Sequence, residues 1–412
     1  MKLLDSNDIK AIRAQFPMLR NTLTMQGKRF CYLDTSATSL KPDRVIEASD
    51  SFYRFWNANT HRGDYDIAHK ADVNFSKARA EVANFIGAKP EEVVFTSGCT
   101  DSLNKVALGL ADYFQPGDEI VIDRAEHASN VLPWFKLARD RGVKIVFAPL
   151  NERGEVTPAA LKGVLTAHTK LVSIARVTNV FGSFNDVESI CRLCRAEGIF
   201  TSVDAAQSIA CESTDVKRIG CDFLSFSGHK MYGPTGIGAL YVRSGIKGFE
   251  PGLLGGGMNA RFYTDGTWTL EDAPYRFEPG TQNIAGAAGL AEACRFILEI
   301  GVDRIGEYEN RMRNLIRDSV KDVPGITIYN PDSHSGIFTF SLEGVPAQDE
   351  GTLLNSRGIC VRSGLHCAKI LPGIPADGTI RASLGVYTDE EDCQQLIEAL
   401  RKGGSVLDAY FA

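Results

Sequence analysis

Phe200-Thr201-Ser202-Val203-Asp204-Ala205-Ala206-Gln207 and, further on, Asp222-Phe223-Leu224-Ser225-Phe226-Ser227-Gly228-His229-Lys230 decide how this chain is read. Each is a short run rich in apolar residues that ends on polar groups. Neither alternates apolar with polar, as a strand with one wet face does, so each reads as a strand covered on both sides. Similar runs occur at 93–95, 119–123, 144–149, 170–177 and 238–242. Helical patterns separate the earlier ones, at 102–114 and at 158–167, the latter with Thr157 as N-cap and Pro158 at the first helical position. Repeated β-α units predict an α/β chain built on a mainly parallel, doubly wound sheet.

Past residue 300 the pattern changes. Runs at 326–329, 336–342, 359–362 and 379–384, with helices near 348–356 and 390–402, predict a smaller α+β unit. The change falls near 295–305, at the end of a helix expected over 287–299. No repeat, low-complexity tract or long linker interrupts the chain.

Composition narrows the function. The 412 residues are 44% hydrophobic and 23% charged, ordinary for a globular protein. The 45 basic and 51 acidic residues give a net charge of −6 with no basic block, so nucleic acid is not an expected partner. No apolar stretch approaches the ~20 residues of a membrane span. The opening residues Met1-Lys2-Leu3-Leu4-Asp5 meet charge too early for a secretory segment, which predicts a cytoplasmic protein. In that setting the ten cysteines are expected to be free thiols. Cys191 and Cys194 recur with Val187 and Ile190 at helical spacing and read as a buried helix face, so no metal site is expected there.

The chemistry lies at the strand ends, where open α/β sheets bind ligands. Lys230 can form an imine with an aldehyde cofactor, and Ser227 and His229 can donate hydrogen bonds to an anion. Asp204 is an acid at a buried strand terminus and needs a cationic partner. A protonated pyridine nitrogen would serve, which points to pyridoxal 5'-phosphate, and Gln207 could reach that cofactor's phenolic oxygen. At 95–101 a strand turns through Gly98 into a helix, whose first N–H groups and Thr100 hydroxyl make a phosphate site. His127, beyond another strand, could stack on a flat ring and move protons.

These segments, in this order, resemble the fold-type I pyridoxal-phosphate enzymes of the class V aminotransferase superfamily. Within it the chain looks like a group II, SUF-type cysteine desulfurase, a branch that includes selenocysteine-lyase-like members. The resemblance runs nearly end to end. It includes Tyr32-Leu33-Asp34, Ala37-Thr38-Ser39, Asn57-Ala58-Asn59, His61-Arg62-Gly63, Tyr232–Gly238, Gly255-Gly256-Gly257-Met258, Phe277-Glu278 and Gly280-Thr281. Its most specific part is Arg362-Ser363-Gly364-Leu365-His366-Cys367-Ala368, followed by Ile380-Arg381-Ala382-Ser383.

The resemblance implies residues 20–298 as a large cofactor-binding domain. Residues 1–19 and 299–412 would form the small domain carrying the catalytic-cysteine loop. It implies Lys230 as the cofactor lysine, Asp204 on the pyridinium, Gln207 on the phenolic oxygen and His127 on the ring. Thr100, Ser227 and His229 would hold the phosphate, with Cys99 in the turn where a first threonine is common. Asn179 and Arg381 would orient the substrate, aided by Arg362 and His366, and the fork of Arg381 suits a carboxylate. The Gly280-Thr281 loop is expected to reach the phosphate of a partner subunit, making the enzyme a homodimer. Cys367 would take sulfur from L-cysteine as a persulfide, leaving L-alanine, and pass it to a sulfur-acceptor protein, as in iron–sulfur cluster assembly. Cys360 is expected in the core. Other readings of the same residues are a selenocysteine lyase acting on L-selenocysteine, a cysteine-sulfinate desulfinase, another class V aminotransferase-like activity, or a non-catalytic paralogue. The chain departs from the family pattern at Leu365, Lys369-Ile370, Arg176 and Tyr65.

Overall fold

A computed structural model describes residues 3–20, 23–61, 63–405 and 407, so Arg62 of the His61-Arg62-Gly63 segment and Met1-Lys2 lie outside the described residues. Seven of the expected runs are strands of one sheet: β1 (Val93–Thr96), β2 (Glu119–Ile122), β3 (Lys144–Phe147), β4 (Thr169–Ala175), β5 (Phe200–Asp204), β6 (Phe223–Ser227) and β7 (Gly238–Val242). Their spatial order is β1-β7-β6-β5-β4-β2-β3. Only β7 opposes its neighbours, pairing antiparallel with both β1 and β6, while the other pairs are parallel. The sheet is therefore mixed by one strand.

Alternate side chains along each strand serve opposite faces, and both faces are dry. Val93, Phe95, Val121, Val172, Leu224 and Phe226 join one core. Helices α2 (Asp43–Phe55), α3 (Asp66–Phe85), α6 (Val187–Ala196) and α7 (Ile284–Ile300) contribute to that core. The intervening Val94, Ile120, Leu171, Phe223 and Leu240 form a second core with α4 (Cys99–Gly109) and α5 (Leu132–Arg141). Continuous apolar runs were the sequence counterpart of this double cover. Cys191 and Cys194 are buried on α6 as expected, and all ten cysteines are free.

Beyond β7, a short hairpin of β8 (Asn259–Phe262) and β9 (Trp268–Leu270) leaves Phe262 and Trp268 exposed. Helix α7 then meets α8 (Val302–Val320) at Gly301, whose φ of +97° breaks the helical path. A second sheet, fully antiparallel, follows in the order β10-β11-β13-β12. Its strands are β10 (Ile326–Tyr329), β11 (Ile337–Leu342), β12 (Arg362–Gly364) and β13 (Thr379–Ser383), with helices α9 (Ala347–Ser356) and α10 (Glu390–Lys402). The N-terminal α1 (Ser6–Arg13) is tied to this part, since Arg13 donates to Tyr387 O and pairs with Asp392.

Three expectations are corrected. The run 359–362 is not one strand: Ile359–Cys360 pairs in parallel with Cys31–Tyr32, and Arg362 then joins β13 in the other sheet. The helix expected over 158–167 is Pro158–Lys162, capped by the Thr157 hydroxyl and ended at Gly163. Cys360 is only half-buried, with its sulfur 3.7 Å from that of Met25.

Candidate active site

The carboxyl ends of β1, β2, β4, β5 and β6 deliver Thr100, His127, Asn179, Asp204 and Lys230 to one cavity of about 190 Å³. The sequence-predicted Cys99, Gln207, Ser227, His229, Arg362, His366, Cys367 and Arg381 line it as well. Lys230 makes no hydrogen bond or ion pair among the described residues, and burial lowers its pKa, opposed by the nearby Asp204. A buried amine of lowered pKa is suited to act as nucleophile and base.

Beside it, β1 turns into α4 through Gly98, whose φ of +148° suits glycine. Helix α4 has no side-chain N-cap at Gly98; instead Ser227 Oγ accepts the Cys99 N–H at 2.7 Å. The Ser227 hydroxyl proton remains to donate to an anion, together with first-turn N–H groups and Thr100 Oγ1. Thr100 Oγ1 also lies 2.7 Å from Ser129 Oγ, a residue the sequence reading did not single out. The Cys99 thiol, in the same turn, donates to Asp204 Oδ1 at 3.3 Å. Burial and that carboxylate push the Cys99 thiol well above its ordinary pKa. Asp204 Oδ1 accepts the Ala206 N–H too, at 2.8 Å.

His127 Nδ1 accepts the Ser129 N–H at 3.1 Å, so the neutral ring carries its proton on Nε2. Burial, and then the charge of Lys230, lower its pKa to about 4. His229 is lowered to about 4 chiefly by burial. Gln207 Nε2 donates to Ser36 O at 3.1 Å and keeps a second N–H.

At the other end, Arg381 is 2% exposed, donates to Asn179 O at 2.8 Å and sits 3.4 Å from Asp34. Burial lowers its pKa to about 10. Arg362 approaches the second Asp34 oxygen at 3.6 Å. Asp34 thus aligns both arginines, a role invisible in sequence because Arg381 is 347 residues away. Arg381 Nε and Asn179 Oδ1 are buried without hydrogen-bond partners. A carboxylate for one and an N–H donor for the other would satisfy them.

Cys367 is exposed at the cavity rim, with φ of +59°, and His366 before it has φ of +48°. The loop is held by Asn179 Nδ2 donating to His366 O at 2.6 Å and Ala128 N–H donating to Cys367 O at 2.8 Å. His366 lines the cavity, with its Nδ1 buried and without a hydrogen-bond partner. Its Nε2 donates to Thr379 O at 3.1 Å, the ring is buried, and its pKa falls to about 3. It anchors the loop. Thr281 is the expected site residue that the chain keeps apart: it lines a separate cavity of about 530 Å³ with Asn59, His61, Tyr275 and Gly280.

A family model described as aminotransferase class-V matches residues 31–396. A cysteine desulfurase of Pectobacterium carotovorum is 38% identical over 403 residues, covering 96% of this chain and 98% of that one. A probable cysteine desulfurase of Halalkalibacterium halodurans is 38% identical over 414 residues, covering 99% of each. The chain belongs to the cysteine desulfurase family. Two solved desulfurases share its fold. The apo enzyme of Thermococcus onnurineus has a TM-score of 0.89 at 36% identity over 98% of each chain. CsdA of Escherichia coli, in its S-sulfonic acid form, has 0.88 at 32% over 99% of each.

Class V aminotransferases use pyridoxal phosphate, and this desulfurase chain fits it. The unpaired Lys230 amine, the Asp204 carboxylate, the neutral His127 ring and the Ser227–α4 anion cradle face one cavity, as that cofactor's aldehyde, ring nitrogen, flat face and phosphate require.

Proposed function

We propose that the chain converts L-cysteine to L-alanine and carries the released sulfur as a persulfide on Cys367. The observation that carries this reading is the exposed Cys367, held at the mouth of the cavity that contains Lys230 and Arg381. Pyridoxal phosphate, when bound, supplies an aldehyde for amines and an electron sink for charge at the substrate Cα.

The chain's own residues do the rest. Arg381, aligned by Asp34, takes the substrate carboxylate, and Asn179 Oδ1 is available to an N–H donor. Lys230 would hold the cofactor, and its free amine is placed to move the Cα proton. Asp204 favours a protonated ring nitrogen. The Cys367 thiolate attacks the substrate sulfur: an S–S bond forms, the Cβ–S bond breaks, and its electron pair stays with the carbon fragment, which is protonated to alanine. His127, with Nε2–H toward the cavity, is placed to move a proton there. His366 is assigned to holding the loop.

The enzyme works as a homodimer in this reading, with Thr281 serving the cofactor phosphate of the other subunit. Its support is the separation of Thr281 from its own cavity, together with the exposed Phe262, Trp268, Leu253 and Leu254. Residues 20–298 are taken as the large domain and 1–19 with 299–412 as the small one. The break at Gly301 and the Arg13–Asp392 pair favour that division. Nine thiols that are buried or half-buried and unpaired fit a reducing, cytoplasmic setting, and a protein with its own thiol is the expected sulfur acceptor.

Incubation with L-cysteine and a reductant tests the reaction, with alanine and sulfide measured together. Equal yields are expected. Pyruvate, or alanine without sulfide, would overturn it. Borohydride reduction and peptide mapping test Lys230: the pyridoxyl group should sit there, and Lys230→Arg should lower turnover by ~10²-fold or more.

A further inference from the structure

A further small cavity, about 30 Å³, touches Lys230 and Gln207 and continues between Tyr232 and Glu309, large enough for a water or two. Glu309 belongs to α8, outside all the roles assigned above. Its helix is pressed against the segment after β5: a Cβ on Gly306 would lie 2.2 Å from Cys211 O. Across from it, a Cβ on Gly336 would come within 3.0 Å of Glu309 Oε2, so glycine there leaves the carboxyl its room.

Tyr232 stands two residues past Lys230, with φ of +64°, a conformation that a bulky residue keeps only when its surroundings enforce it. Its N–H donates to Ser39 Oγ at 2.7 Å. Its hydroxyl accepts the Val386 N–H at 3.1 Å and donates to Glu309 Oε1 at 3.3 Å. The ring packs edge-on against Phe16, Phe296 and Tyr387. One hydroxyl thus joins the Lys230 turn, α8 and the segment after β13.

The Glu309 carboxyl has no ion pair among the described residues. Arg313, one turn further along α8, donates to the carbonyls of Asn330 and Pro331 instead. The other titratable groups facing Glu309 are Tyr232, Tyr387 and Cys211, with Lys230 across the cavity. Burial without a cation raises its pKa to about 8, against the Tyr232 hydrogen bond, so it is an acid at neutral pH.

We propose that Glu309 is a positioning residue: its carboxyl fixes the Tyr232 hydroxyl and, through it, the left-handed turn that sets Lys230. The proposal rests on Lys230 being the cofactor lysine.

The test compares the holoenzyme with Glu309→Ala, Glu309→Gln, Tyr232→Phe and the Ala/Phe double variant. Glu309→Ala should lower kcat about tenfold with KM for cysteine within about twofold, because Lys230 is misplaced and substrate binding is spared. Glu309→Gln, neutral and of the same shape, should restore kcat at pH 7. The double variant should be no slower than the slower single one, since both remove the same link. Thermal melts from pH 5 to 9 give a readout independent of turnover. A carboxyl whose folded pKa lies above its unfolded value loses its stabilising contribution as pH rises toward about 8. Wild type should therefore lose ground to Glu309→Gln up to that pH and then run parallel to it. A pH-independent difference, unchanged kcat in Glu309→Ala, or no rescue by glutamine would each overturn the proposal. A pyridoxyl group mapped to another lysine would instead overturn the reading of Lys230, while the melts would still judge Glu309.

Discussion

His366 and Cys367 are consecutive non-glycine residues in left-handed backbone, a conformation costing ~1–3 kcal/mol for each. The hydrogen bonds from Asn179 and Ala128 hold them there, so the thiol is presented by the cofactor-side loops as well as by its own. Cys367→Ala should keep that backbone and bind cofactor, yet lower alanine formation from cysteine by roughly 10²-fold or more. Mass spectrometry of wild type trapped without reductant should find one extra sulfur on the Cys367 peptide; sulfur on Cys360 would contradict the mechanism. His366 offers a pH test. Its folded pKa of about 3 lies below the ordinary 6.5, so the neutral ring stabilises the fold above pH 6.5 and that contribution fades as pH falls toward 3. His127 and His229, both at about 4, act in the same direction. His366→Asn tolerates the left-handed backbone and should show a shallower fall of Tm between pH 7 and 4.

Among elements, α3 is tied to the segment before Gly280-Thr281 by Arg79. Its two terminal nitrogens meet both Glu278 oxygens at 2.6 and 2.7 Å, and Glu278 also accepts the Phe95 N–H. Both partners are nearly sequestered, at 5% and 2% side-chain exposure. Glu278→Ala strands a buried guanidinium and should cost about 3–5 kcal/mol in urea unfolding. A change below about 1 kcal/mol would show that water reaches Arg79. Legibility also differs between elements. The sheet strands could be read because burial on two faces leaves apolar runs with polar ends, and those ends carry Lys230, Asp204 and His127. Helix α3 escaped notice because its buried face is largely Ala68, Ala71, Ala78 and Ala83, which contrast weakly with a polar surface. Sequence placed Cys99 in the right turn, but not the direction of its thiol, which depends on where β5 sets Asp204.

At the scale of the whole molecule, the proposed sharing of the site between two subunits makes a test of its own. Lys230→Ala and Thr281→Ala chains should each be inactive or weakly active alone. Coexpressed, their heterodimer would hold one site with both residues intact, so the isolated heterodimer should recover toward half the activity of wild type. Recovery absent from proven heterodimers would place Thr281 in the service of its own subunit. The Gly301 break and the Tyr232 hydroxyl bear on the same scale, since both lie where the two sheets' supporting helices and turns meet.

The distribution of thiols has a practical side. Of ten cysteines only Cys367 is exposed, and Cys360 is half-buried. The unaltered chain therefore carries a single chemically addressable handle, sited on the loop proposed to carry the sulfur. A maleimide fluorophore or spin label would go to that position without any background of removed cysteines, and would report loop motion from the native sequence. The same selectivity would direct electrophiles and peroxide to the one thiol that the proposed reaction needs.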